Sequence, residues 1–402
     1  MIKKTLADVD ATTLRGRTVI VRADLNVPLD DGTVADDQRI EASLPSLEHL
    51  NASGARCIVL SHLGRPKGAP NPDYSLAPVA ERLGELLGRP VSFVPYTSGP
   101  QAAAALDALP DGVTAVLENT RYEPGETKND AGLAEGWAAL GDLFVNDAFG
   151  TAHRAHASTE GLARAMRERG GEAVAGHLLA TELRFLEESL RMPERPFVAI
   201  VGGAKISSKI GVISALLPRV DRLLIGGAMA NTFFRALGLD TGESLVEEDA
   251  VDVARKILEE GGERLVLPTD CVIADELSSD APFSEVDRDA VSGAQKIFDI
   301  GPKTRELFAE MVRRAETVVW NGPMGVFEVS PFDRGTVEVA EAIADACDSG
   351  AMGILGGGDS AAAAERAGVV DRLTHVSTGG GASLELLAGG ELPAVDALTP
   401  RS

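Results

Sequence analysis

The chain has 402 residues, enough for two or three domains, with 61 acidic against 38 basic residues and a formal charge of −23. A surface this acidic disfavours non-specific binding to nucleic acid or to an anionic membrane, and no 18-residue apolar stretch is free of charge, which excludes a spanning helix. The first 30 residues lack a basic start, an apolar core and a small-residue cleavage site, and Cys57, Cys271 and Cys347 lie too far apart for a disulfide framework or a zinc cluster, so a cytoplasmic, globular protein is expected.

Short β-rich runs recur along the chain. Strands are predicted at 18–23, 55–61, 113–117 and 142–145, and then at 197–201, 220–225, 317–320, 351–355 and 374–377. These runs are continuously apolar, which suits parallel strands covered on both faces. The segments between them are rich in Ala, Leu and Glu and long enough for crossover helices, so the fold class is α/β with parallel sheets. Near the middle, Leu179, Leu183, Leu186 and Leu190 recur at spacings of 4, 3 and 4, an amphipathic helical stripe. Pro193 and Pro196 end it. Two α/β units joined by this helix are expected, free to move relative to each other.

Nearly every predicted strand ends in a polar or glycine-rich cluster. In the first half these clusters carry Asp24 and Asn26, His62 and Arg65, Arg121, and Arg154, with Arg39 in the first long loop. Ligands of open α/β sheets bind at the carboxyl ends of strands. Guanidinium groups match phosphate and carboxylate with two parallel hydrogen bonds. Several cations on one edge of so acidic a chain point to a pocket for a small, multiply anionic molecule. A single Arg would as readily pair with a surface carboxylate.

The second half ends its strands in glycine turns: Gly202-Gly203, Gly226-Gly227, Asn321-Gly322-Pro323-Met324-Gly325, Gly356-Gly357-Gly358 and Gly379-Gly380-Gly381. A glycine turn that opens a helix offers free N–H groups and a positive dipole end to phosphate. Five of them, with Lys205 and Asp359 embedded, read as a nucleotide site. The Walker A pattern is absent, since Lys205 follows Gly202-Gly203 without the intervening loop. Residues 356–361 match G-x-G-x-x-A, which leaves an NAD-dependent dehydrogenase open, although no acidic residue ends the next strand. A non-enzymatic nucleotide clamp is also open, but it has no need of Arg39 and Lys205 together. None of the six histidines forms an H-E-x-x-H pair, and no G-x-S-x-G elbow occurs, so zinc hydrolysis and α/β-hydrolase chemistry are disfavoured. Trp320 reads as a core aromatic.

Several stretches together resemble the phosphoglycerate kinase family. They are VRADLNVP (21–28), SHLGRP (61–66), LENTRYEPGETKND (117–130), VNDAFGTAHRAHAST (145–159), VGGAKISSKI (201–210), LIGGAMANTF (224–233), WNGPMGVFE (320–328), GGGDSAAA (356–363) and HVSTGGGASLELL (375–387). They occur in family order and span nearly the whole chain. Leu25, Ser208 and Thr181 depart from it, standing where Phe, an acidic residue and Lys are usual.

The resemblance implies two doubly wound, Rossmann-like lobes joined by an interdomain helix and hinge. It places a substrate domain at 1–172 with the tail 388–402 packing back on it, the helix at 173–191, and a nucleotide domain at 192–387. It implies that Asp24 and Asn26 meet the glycerate end of 3-phosphoglycerate, and that His62, Arg65, Arg121 and Arg154 hold its phosphate. Arg39 would face the acyl phosphate of 1,3-bisphosphoglycerate. Lys205 would follow the transferring phosphoryl and Lys209 the nucleotide phosphates of ADP or ATP. Glu328 would accept from the ribose, and Gly203, Gly227 and Gly325 would wall the adenine pocket. Gly357, Gly358, Asp359 and Ser360 would form the phosphate turn, with Asp359 on Mg²⁺, and Gly380 would open a helix whose amides cap the phosphoryl. Hinges are expected in the helix at 174–190 and a loop near 379–387, and the enzyme is expected to be a monomer without nucleic-acid or membrane partners.

Overall fold

The computed structural model describes residues 3–110 and 112–401, and of 187–191 the backbone alone. Thr18–Ala23 and Phe197–Val201 form strands with the predicted bounds, and the other predicted strands form within two residues of theirs. Val19, Ile20, Val21 and Ala23 are all buried, as a strand covered on both faces requires. Each such Val or Ile withdrawn from water contributes about 1.5–3 kcal/mol.

The chain divides into two units, Met1–Arg184 with Glu391–Ser402, and Phe185–Gly390. The first is built on six parallel strands in the spatial order Val91–Val94, Thr114–Leu117, Arg56–Leu60, Thr18–Ala23, Leu143–Asp147, Glu172–Ala175. The direction of winding reverses between Thr18–Ala23 and Leu143–Asp147. A crevice at the carboxyl ends of such a pair is where α/β sheets take ligands. The last residues complete this unit: Thr399 N donates to Ala173 O at 2.8 Å, and Lys4 N donates to Thr399 O at 2.8 Å.

The second unit also has six parallel strands, ordered Leu265–Val266, Arg222–Ile225, Phe197–Val201, Thr317–Asn321, Met352–Leu355, His375–Val376. Numbered along the unit, that order is 3-2-1-4-5-6, the doubly wound arrangement. Its winding reverses between Phe197–Val201 and Thr317–Asn321. A three-stranded antiparallel sheet, Phe283–Asp287, Asp270–Ala274 and Lys296–Ile300, is inserted between the third and fourth strands. The sequence reading did not anticipate it.

The central leucine stripe lies on the helix His177–Arg191, within which the two units meet in sequence. Leu179 and Leu186 are buried and Leu183 is half-buried. Leu190 lies outside the described side chains. Two expectations are corrected. Arg39 is in the first turn of the helix Gln38–Ala52 rather than in a loop, the first amide of that helix, Gln38 N, being met by Asp36 Oδ1 at 2.8 Å. Residues Gly380–Leu387 are helical throughout rather than a loop. No helix among the described residues is long and apolar enough to cross a membrane.

Candidate active site

In the first unit, the strand ends deliver the predicted cations to one edge. Arg65, Arg121 and Arg154 line a cavity of about 600 Å³ together with Lys67, Lys128 and His156. Arg121 follows the strand Thr114–Leu117 on the short turn Thr120–Tyr122. Asn119 shapes that turn, since its Oδ1 accepts Arg121 N at 3.0 Å while its Nδ2 donates to Leu63 O at 2.7 Å and Tyr74 O at 2.8 Å. Arg121 Nη1 donates to Gly64 O at 2.7 Å.

Beside this cavity, Asp24, Asn26, Arg39 and His62 form a second, tighter cluster. Arg39 Nη1 donates to Asp24 Oδ2 at 2.7 Å. Asp24 Oδ1 lies 3.9 Å from His62 Nδ1. Asn26 Oδ1 accepts Gly64 N at 2.8 Å, which ties the first strand's turn to the second's. None of these four lines the cavity itself.

The electrostatics bind the two clusters into one field. Burial, then Arg22, Arg121, Arg39 and His156, hold His62 well below the usual imidazole range. Burial, then Arg121, Arg22 and Arg154, pull His156 down to about 4. Burial, Arg22 and Arg154 lower even Arg121, to about 10. Guanidiniums crowded around lowered imidazoles make a field that an anion would relieve. Asp24 Oδ1 and Arg121 Nε are buried and have no hydrogen-bond partner among the described residues. A ligand bearing both an acceptor and a hydroxyl donor would satisfy both atoms.

Residue-type spacing missed Arg22, Lys67, Lys128 and His156. Arg22 is 1 % exposed inside the apolar strand Thr18–Ala23, and its Nη2 meets His62 Nδ1 at 3.0 Å. A guanidinium within an otherwise apolar run was the available signal, because a charge is buried only where it is paired.

In the second unit, Gly203, Gly227, Gly325, Glu328 and Asp359 line one cavity of about 220 Å³ at the winding reversal. Its apolar wall includes Phe234, Met324 and Phe298, the last from the inserted antiparallel sheet. The base-sized slot is kept open by close backbone approach. Gly203 N donates to Pro323 O at 3.0 Å and Gly227 N donates to Met324 O at 2.8 Å. Asp299, also unforeseen, is buried in the same wall and accepts Gly335 N at 2.7 Å and Ile300 N at 2.8 Å. Burial pushes its carboxyl up to about 8 against the pull of those two amides.

Around this cavity stand the remaining predicted residues. Lys209 Nζ donates to Asn321 Oδ1, and Asn321 Nδ2 donates to Gly356 O at 2.5 Å. Burial lowers Lys209, opposed by Asp359. Gly357 precedes the helix Gly358–Arg366, and Gly380 opens the helix Gly380–Leu387. A Cβ on Gly380 would lie 3.4 Å from Gly358 N, so the two helix starts converge on one point. Two positive dipole ends side by side suit a polyphosphate. Ser360 is fully buried and spent internally, accepting Gly322 N at 2.7 Å and donating to Gly356 O at 3.0 Å. Lys205 is exposed on the turn after Phe197–Val201. Trp320 is a buried core residue whose Nε1 donates to Gly322 O at 2.7 Å. The G-x-G-x-x-A turn follows the fifth strand of the unit rather than the first, where a dinucleotide fingerprint belongs. No group of three or more His, Cys, Asp or Glu is arranged for a metal among the described residues.

A cationic cavity on one doubly wound sheet and a glycine-walled cavity on another define a nucleotide-dependent phosphotransferase of two Rossmann-like units. The phosphoglycerate kinase family profile matches residues 9–390. Phosphoglycerate kinases of Chloroflexus aurantiacus and Chlorobium limicola are 54 % and 51 % identical to the chain. Both alignments cover 99 % of it, and 99 % and 100 % of the relatives. The solved phosphoglycerate kinase of Coxiella burnetii superposes with a TM-score of 0.88 at 40 % identity, over 98 % of both chains. That of Pyrococcus horikoshii gives 0.83 at 34 %, again over 98 % of both. The chain belongs to the phosphoglycerate kinase family.

Proposed function

We propose that the first unit holds 3-phosphoglycerate or 1,3-bisphosphoglycerate, that the second holds MgADP or MgATP, and that the enzyme moves one phosphoryl group reversibly between them. The observation that carries the division of labour is the contrast of the two cavities, one rimmed by Arg65, Arg121 and Arg154, the other walled by Gly203, Gly227 and Gly325. Asp24 Oδ1 takes the glycerate hydroxyl and Asn26 orients the carboxyl end. His62, Arg65, Arg121 and Arg154 hold the phosphate that stays behind, and Arg39 faces the acyl phosphate.

The reacting atoms are a carboxylate oxygen and a β-phosphate oxygen, both ionised at pH 7. No general base is required, and catalysis is positioning plus charge stabilisation. Lys205 follows the phosphoryl in flight, and the amides at Gly380 cap it. Lys209, Gly357 and Gly358 hold the nucleotide phosphates, Ser360 braces their turn, and Glu328 accepts from the ribose. Asp359 lines the cavity beside the two converging helix starts, and its carboxylate would hold Mg²⁺ there. When bound, Mg²⁺ neutralises charge on the β- and γ-phosphates. We place the enzyme in the cytoplasm as a monomer.

A coupled assay with 3-phosphoglycerate and MgATP tests the reaction, and absence of turnover would end the reading. Calorimetric titration of each ligand into Arg121→Ala tests the division. Loss of 3-phosphoglycerate binding with ATP binding intact is expected.

A further inference from the structure

One buried acid beside the cationic cavity has no part in the mechanism so far. Glu126 is 1 % exposed, on the short turn Glu126–Lys128, and does not line the cavity. All its partners are donors. Ser158 gives it the backbone N–H at 2.9 Å and the hydroxyl at 2.5 Å, and Thr120 Oγ1 lies 3.4 Å away. An ionised carboxylate only accepts, so the Ser158 proton points at Glu126 and the Ser158 lone pairs face elsewhere. Arg22 Nε donates to that oxygen at 2.9 Å. Arg22 then turns Nη2 onto His62 Nδ1 at 3.0 Å and Nη1 onto Ala23 O. A guanidinium only donates, so His62 Nδ1 is bare and the ring proton sits on Nε2. The chain Glu126–Ser158–Arg22–His62 is therefore linked end to end, with Arg22 donating in both directions: through Nε to Ser158, which donates on to Glu126, and through Nη2 to His62 Nδ1.

We infer that Glu126 and Ser158 are positioning residues for the phosphorylated substrate: they hold Arg22, and through it lock His62 as the neutral tautomer that offers Nε2–H to the anion. The inference rests on reading this cluster as the 3-phosphoglycerate site. A free imidazole exchanges its proton between two nitrogens, and only one tautomer donates from Nε2. Arg22, Arg121, Arg39 and His156 all face His62 and resist a second proton, while Asp24 lies 3.9 Å from Nδ1. The field of Glu126 opposes the burial of both Arg22 and Arg121.

Glu126→Gln keeps the shape and removes the charge, whereas Ser158→Ala keeps the charge and removes the relay. Each is expected to raise KM for 3-phosphoglycerate about tenfold, the effect of losing one hydrogen bond to a charged group. KM for MgATP stays unchanged, and the double variant falls short of the product of the two effects. Spectra of ¹⁵N-histidine-labelled enzyme are expected to show His62 as the Nε2–H tautomer at pH 6, and as a tautomer mixture in Ser158→Ala. Should Glu126→Gln not fold, Ser158→Ala and its His62 spectrum carry the test. Wild-type KM for 3-phosphoglycerate with an unchanged His62 spectrum overturns the inference, and so do equal losses for both ligands, which assign the chain to folding. Arg121→Ala separates the two layers. If it leaves the 3-phosphoglycerate KM untouched, the reading of the site fails. If it raises that KM while Glu126→Gln and Ser158→Ala do not, only the relay fails.

Discussion

A Cβ placed on Gly227 would lie 2.5 Å from both the amide nitrogen and the carbonyl oxygen of Gly203. The contact is with backbone, which cannot swing aside, and Gly227 has φ +69°, a region that side chains rarely enter. Gly227→Ala is therefore expected to push apart the wall of the base slot, at a cost of about 1–3 kcal/mol. ATP affinity should fall by roughly five- to a hundredfold, and titration with 3-phosphoglycerate should be unaffected. Unaltered ATP binding would mean that the nucleotide lies elsewhere.

Lys205 sits exposed on the turn after Phe197–Val201, with its carbonyl fixed by Ser208 Oγ at 2.8 Å. The turn is thus held, and the exposed ammonium adds to the positive field around Glu247. Lys205→Ala should lower kcat by a factor on the order of 10²–10³, as for loss of one preorganised charge contact. Both KM values should change little. A near-wild-type rate in the coupled assay would refute the role.

Arg65 is exposed on the rim of the cationic cavity. Arg65→Ala should raise KM for 3-phosphoglycerate about tenfold, as for loss of one charged hydrogen bond. Nucleotide KM should not move. A fall in nucleotide affinity instead would reverse the assignment of ligands to units.

Two groups predict opposite pH limbs. His156 is lowered to about 4 in the folded state, so the stability it contributes is present above the unfolded imidazole value and is lost as pH falls from about 6.5 toward 4. Asp299 is raised to about 8, so its contribution is fully present below the unfolded carboxyl value and is lost as pH rises from about 4 to about 8, with no further change above that. Trp137 belongs to the first unit and Trp320 to the second, and both are buried. Urea titrations of Trp320→Phe and Trp137→Phe therefore report the units separately. Adding His156→Asn should flatten the rise in stability of the first between about pH 4 and 6.5, and Asp299→Asn the fall in stability of the second between about pH 4 and 8. Unchanged slopes would count against these environments.

Chelation with EDTA should abolish turnover, and added Mg²⁺ should restore it. The far-ultraviolet dichroism should not change, because both units have cores of their own. Asp359→Asn should raise the Mg²⁺ concentration needed for tight ATP binding about tenfold, as loss of one charged ligand implies. Calorimetry in the absence of 3-phosphoglycerate reads this apart from catalysis. Identical Mg²⁺ dependence in the variant would remove Asp359 from the metal's surroundings.

The parallel strands were legible because their residues leave little choice. Thr18–Ala23 and Phe197–Val201 are dominated by Val, Ile and other apolar residues, Arg22 excepted, and both became largely buried strands. The inserted sheet was not legible. Phe283–Asp287 reads FSEVD and is largely exposed, so it carries no apolar run to detect. The strand-end cations were readable because topology places them. Arg22 escaped because it precedes the strand end and draws its role from His62 across the sheet. Asp299 escaped because only folding brings it against Gly325 and Gly335, where a Cβ would stand 2.3 Å from its carboxylate. Such roles arise from three-dimensional neighbours and have no local pattern.

The pairing of Thr399 with Lys4 and Ala173 also bears on how the protein is built. The segment Phe185–Gly390 is self-contained, whereas the earlier unit needs residues from both ends of the chain. Without those last residues the first unit is left with an open seam beside Ala173, while the second keeps its full set of strands. A released chain truncated after Gly390 should resist protease over its latter part and be cut within its opening residues.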